Sequence, residues 1–123
     1  MAALTAQVVP HAGLTPTLTT GLGGTTGNTA PCGAGLGLML VNGAASTVNI
    51  DVRVASNATV DGLAVATPAG AAAPARRFTL PATSGAVSII PLPPATYADP
   101  TTGLATFDVA AGTVSAAVVG ISA

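Results

Sequence analysis

A chain of 123 residues that is 50% hydrophobic carries three Lys/Arg and four Asp/Glu, a formal net charge of -1. Soluble monomers normally place charge at roughly a quarter of their positions, so this surface is expected to be hidden within an assembly. The same scarcity argues against proton-transfer or nucleophilic catalysis. It argues equally against nucleic-acid binding, which draws on clustered Lys and Arg, and no run nears the ~18 apolar residues of a membrane span.

The length suits one domain. Residues after Met1 lack Lys and Arg, and Pro10 and His11 interrupt any apolar run, so export through a signal peptide is not expected. A single cysteine, Cys32, forms no internal disulfide.

Residues 1–35 contain Pro10, Pro16, Pro31 and the glycine-rich run Gly21 to Gly27, and are read as an extended arm. Leu4, Val8, Val9, Leu14 and Leu18 are candidate partner-binding residues in it, because apolar side chains in a structureless segment need burial somewhere. The alternative is that the arm adds a strand to its own body. An arm that binds neighbours is expected to be removable: deletion of residues 2–20 should leave the body folded and weaken lattice binding.

Residues 36–123 form the body. From Leu36 the hydrophobic period becomes two, the spacing of a strand. Leu38 to Val41 is a short apolar strand ended by Asn42-Gly43, a pair suited to a hairpin turn. Thr47 to Val54 alternates cleanly, with Val48, Ile50, Val52 and Val54 on a buried face and Thr47, Asn49, Asp51 and Arg53 on a wet one. Further strands are expected at Leu63–Ala66, Arg77–Leu80, Val87–Ile90, Ala105–Val109 and Val114–Ile121. Ala69 to Ala75 contains Pro68, Gly70 and Pro74 in or beside it and reads as a loop rather than a helical turn. The pattern is all-β: a β-sandwich, jelly-roll or Ig-like, of about seven to eight short antiparallel strands with an extended N-terminal arm.

Taken singly, the chemistry-bearing residues make no catalytic, cofactor or metal site. His11 has no second His or Glu to complete a set. Cys32 lacks a sequence neighbour that would lower its pKa and reads as a small buried residue. Asp61-Gly62 and Asp99-Pro100 are turn pairs in which the carboxylate caps local backbone, and no calcium-loop spacing occurs. The glycine run has neither a following Gly-Lys nor a strand-to-helix setting, so it reads as flexible linker. Asn57-Ala58-Thr59 is a glycosylation sequon without a secretory context. Arg76 and Arg77 beside Phe78 form a possible interface, arginine being enriched at such surfaces.

The strand before Val41-Asn42-Gly43-Ala44, the alternating Val strand after it, Val60-Asp61-Gly62-Leu63-Ala64-Val65, Arg77-Phe78-Thr79-Leu80, and Ile90-Pro91-Leu92-Pro93-Pro94-Ala95-Thr96-Tyr97-Ala98-Asp99-Pro100-Thr101-Thr102-Gly103 before a Val-rich C-terminal strand together resemble small head decoration proteins of tailed bacteriophages, of the actinobacteriophage type. The resemblance spans roughly residues 36–121. It implies a non-enzymatic virion protein, made in the bacterial host cytoplasm, that sits on the capsid exterior and stabilises the head by bridging major capsid subunits, often as a homo-trimer. It brings no catalytic residues, cofactor, small-molecule substrate, nucleic acid or membrane. The rival reading is a tail, fibre or connector-associated binding module, for which a single Tyr and no Trp are poor equipment for sugar faces.

Overall fold

The computed structural model describes residues 2–10, 12–33, 35–54, 59–60, 63–64, 75–99 and 101–121. In chain order the elements are β1 (Ala6–Val9), β2 (Asn28–Pro31), β3 (Leu36–Asn42), β4 (Val48–Arg53), β5 (Thr59–Val60), β6 (Leu63–Ala64), β7 (Ala75–Leu80), β8 (Ala86–Pro91), α1 (Pro94–Tyr97), β9 (Leu104–Val109) and β10 (Val114–Ile121).

Period-two alternation puts one apolar row of each long strand inward. Val48, Ile50 and Val52 of β4 are each 2% exposed or less, as are Ala105 and Phe107 of β9. Facing them from the other side are Leu38 and Leu40 of β3 and Val114, Ala116 and Val118 of β10. One sheet has the order β1-β10-β3-β8 and the other β2-β9-β4-β7, while β5 pairs with β6 as a short separate ribbon. Along the chain the eight longer strands pass from one sheet to the other at every step except β4 to β7, which are neighbours in one sheet, and the two orders are those of a jelly roll. Leu92 and Tyr97, at the α1 segment, belong to the same core cluster. The helix is a single turn because Pro93 and Pro94 start it and its neighbours on either side are extended.

Three sequence expectations meet a different arrangement. Asn42-Gly43 does not close a hairpin: β3 pairs with β10 and β8, and the chain crosses to the opposite sheet to form β4. The reason is the burial of Asn42, whose amide donates to the carbonyls of Ser46 and Pro81 at 2.8 Å each and accepts from the Ala44 N–H at 3.0 Å, making a sandwich corner instead. The strands are not all antiparallel, since β1 runs parallel to β10 from Ala6↔Val118 to Val9↔Ile121. The chain then doubles back, and Thr19 bridges Ala116 in the antiparallel sense.

The third concerns residues 1–35. Leu4 and Leu22 enter the common core, β1 and β2 join opposite sheets, and residues 2–4 hydrogen-bond alongside Thr29 on β2. The segment therefore adds strands to its own sandwich. The glycine-rich run is docked rather than a free linker: the N–H groups of Leu22 and Gly24 donate to Val114 and Ala110, and Thr25 accepts from Val109. Gly23 passes so close to the Gly112 backbone that no Cβ fits between them. The sequence reading of Ala69–Ala75, of the sequon and of His11 falls wholly or largely outside the described residues, as does the end of the expected strand Leu63–Ala66.

Candidate interaction surface

The two outer faces of the sandwich differ in kind. Across β7, β4 and β9, the residues Arg77, Asp51 and Asp108 lie in one cross-strand row. Arg77 donates to both oxygens of Asp51 at 2.7 and 2.9 Å, and Arg53 to both oxygens of Asp108 at 3.0 and 2.8 Å. Asp108 also accepts the Gly27 N–H at 2.8 Å. Planar guanidinium forks match carboxylates in this two-bond geometry. Both aspartates are 8% exposed, so the face expected to be wet is closed over its acids. The bond to Asp51 raises the Arg77 pKa, with desolvation working the other way and the charge of Asp51 adding to the rise.

These are the two carboxylates that the fold brings side by side. Each has both oxygens taken by a guanidinium, an arrangement that suits cross-strand stabilisation. Asp99 caps its own turn through the Thr101 N–H at 2.7 Å, as its sequence context predicts. Cys32 is half-buried against the core, and burial pushes its thiol pKa up against a smaller opposing effect of a hydrogen bond with the Ala105 backbone. Among the described residues no three His, Cys, Asp or Glu side chains converge on a possible metal position. No helix there is long and apolar enough to cross a membrane.

The outer face of β1-β10-β3-β8 is uncharged, and apolar over β3 and β8. Register and alternation place Val87, Ile89 and Pro91 of β8, Gly37, Met39 and Val41 of β3, and Val119 of β10 on it, while towards β1 the same face carries Ser115 and Gln7 and a buried Ala117. Val87 and Ile89 are 56% and 62% exposed, large values for aliphatic side chains. A groove of about 340 Å³ crosses this face between Val9, Leu36, Gly37, Ile89, Pro91 and Val119. Its floor exists because Gly37 has no side chain: a Cβ there would meet the Ile89 methyl at 2.9 Å. None of the described residues that line the groove is charged.

The sequence-nominated contact residues divide between these surroundings. Leu4 is inside the core, while Val9 lines the groove. Val8, Leu14 and Leu18 are exposed at 54%, 38% and 37% along the N-terminal segment. Arg77 is committed to Asp51, and Arg76 is exposed with its guanidinium 5.6 Å from the Phe78 ring centroid. Val87 and Ile89 were not nominated, although a strand with no charged residue on either face was a legible signal. Comparison with protein-family models, curated proteins and solved structures finds no match to this chain.

Proposed function

We propose that this protein is a non-enzymatic virion structural protein, a decoration protein that binds the outside of a phage head and stabilises the lattice by bridging major capsid subunits. The observation that carries the reading is the uncharged outer face of β1-β10-β3-β8, apolar over β3 and β8, set opposite a face whose acids are already paired internally. A contiguous apolar patch of this kind marks an interaction site. Covering Val87 and Ile89 contributes roughly 1–2 kcal/mol each from apolar area alone. Jelly-roll order is common to viral capsid, lectin and cupin domains, so the reading rests on the face and on the sequence resemblance and not on the fold.

Mass action supplies the mechanism. A protein that binds only the assembled lattice stabilises that state by its binding free energy, about 2.7 kcal/mol per site at a hundredfold excess over Kd. Many sites on one particle add these contributions over the shell. The test is cryo-electron microscopy of purified virions with icosahedral averaging. Density for the chain is expected at repeated head positions, with the apolar face against more than one capsid subunit, and Val119→Asp on that face should lower its occupancy. Density confined to the tail or a single vertex, or none, overturns the reading in favour of a connector or host-binding module.

A further inference from the structure

The four outermost strands of the two sheets are not equally protected. Residues 2–4 hydrogen-bond along β2, and the Gln7 side chain of β1 bonds both the N–H and the carbonyl of Thr17. Strand β7 carries Arg76 and Arg77, and charge blunts an edge against pairing. Strand β8 has neither device: among the described residues nothing pairs with its outer side, and the chain holds no charged residue from Phe78 to Ala98.

From this we infer that β8 is the site at which two copies of the chain pair, antiparallel, about a two-fold axis through Ser88. The hydrogen bond from the Leu92 N–H to the Leu36 carbonyl sets the phase of the β3–β8 ladder. Alternate residues of an antiparallel strand bond to opposite sides, so Ser88 and Ile90 face β3 and the N–H and C=O groups of Val87 and Ile89 face outward. Pro91 has no N–H to give. The one register that uses all four outward groups of each copy, and asks no donor of Pro91, sets Val87 against Ile89 of the second copy and Ser88 against itself.

The register is self-complementary, and charge permits a second copy at β8 where it would oppose one at β7. A two-fold axis brings each side chain near its own kind, so arginines on β7 would repel their copies, whereas β8 has nothing to repel. The outward Val87 and Ile89 side chains of both copies then form one apolar patch at the centre of a continuous eight-stranded sheet. A trimer, which the sequence resemblance implies, has to close through another surface, because this edge is self-complementary only about a two-fold axis.

The isolated full-length protein tests the inference without reference to any capsid. Light scattering coupled to size exclusion, over a dilution series, is expected to give about twice the 11.6 kDa chain mass. Val87→Lys with Ile89→Lys should convert it to monomer, and Val87→Lys with Ile89→Glu, which places opposite charges across each cross-copy pair, should restore the dimer. Folding of each variant is checked by circular dichroism. As a measurement that leaves β8 apolar, Ser88→Cys in a Cys32→Ser background should form an intermolecular disulfide on oxidation, since a non-hydrogen-bonded antiparallel pair holds its Cα atoms about 4.5 Å apart, within disulfide reach. A monomer, a trimer, a dimer that survives the double lysine change, or no cross-link through residue 88 overturns the inference.

Discussion

Asp108 shows how much one side chain holds when charge is scarce. It takes two bonds from Arg53 on the neighbouring strand and one from the Gly27 backbone, and so ties β9 to β4 and to the segment entering β2. Asp108→Ala leaves the Gly27 N–H and a part-buried guanidinium without their acceptor, a loss on the order of 2–3 kcal/mol. Urea unfolding should register it as a lower midpoint with an unchanged slope; a midpoint equal to the parent would mean that water replaces the carboxylate fully. Cys32 offers a test on pH. Burial raises its pKa above 9.0, so the fold favours the protonated thiol. That contribution to stability is complete below pH 9 and falls as pH rises through the folded value. Alkylation by iodoacetamide at mildly alkaline pH should be slower in the native protein than in the urea-unfolded chain, because the thiolate is the nucleophile. Equal rates would contradict the assignment of burial as the cause.

At the scale of elements, the period-two signal located strands well and their partners poorly. β4, β8, β9 and β10 lie where alternation placed them, each within a residue or so of its expected ends. β1 and β2 escaped notice, being four residues each and surrounded by the Pro and Gly of a segment with no sustained period. Their place is set by contacts that have no local signature: the outer side of β10 accepts β1 and then Thr19, and Gly23 packs backbone to backbone on Gly112 in the β9–β10 turn. Gly23→Ala forces a methyl group into the Gly112 peptide. A loss of several kcal/mol, or failure to accumulate as soluble protein, is expected on the scale of overpacking and backbone strain. A parent-like thermal midpoint for Gly23→Ala would show that the glycine-rich segment is not docked as described.

For the whole molecule, the N-terminal segment is part of the sandwich. Removing residues 2–20 takes Leu4 from the core, strips the hydrogen bonds along Thr29 and leaves β10 as a bare edge. The truncated chain is therefore expected to lose several kcal/mol of stability, since a buried Leu alone is worth about 2–5 kcal/mol, and to aggregate through the uncovered strand. Circular dichroism melts and light scattering of the truncated chain check this. A truncated chain that melts like the parent would restore the picture of a detachable arm, with Val8, Leu14 and Leu18 reserved for a neighbour. On the proposed reading, stability and partner binding draw on different parts of the molecule: the interior and the paired aspartates hold the fold, and the apolar face and the β8 edge serve association.

The sequence by itself determined the all-β class, the longer strand segments from residue 36 onward, the inward row of Val48, Ile50 and Val52, and the poverty of charge that makes association the expected way of life. These are legible because side-chain alternation and composition are local properties. Only the tertiary structure decided that Asn42 turns a corner between sheets, that Leu4 is core while Val9 lines a surface groove, that Asp51 and Asp108 are buried in one arginine-paired row, and that β8 has no partner on its outer side among the described residues. Alternation assigns a residue to a face but says nothing of which strand lies beside it, and every one of those outcomes depends on strand pairing between segments distant along the chain.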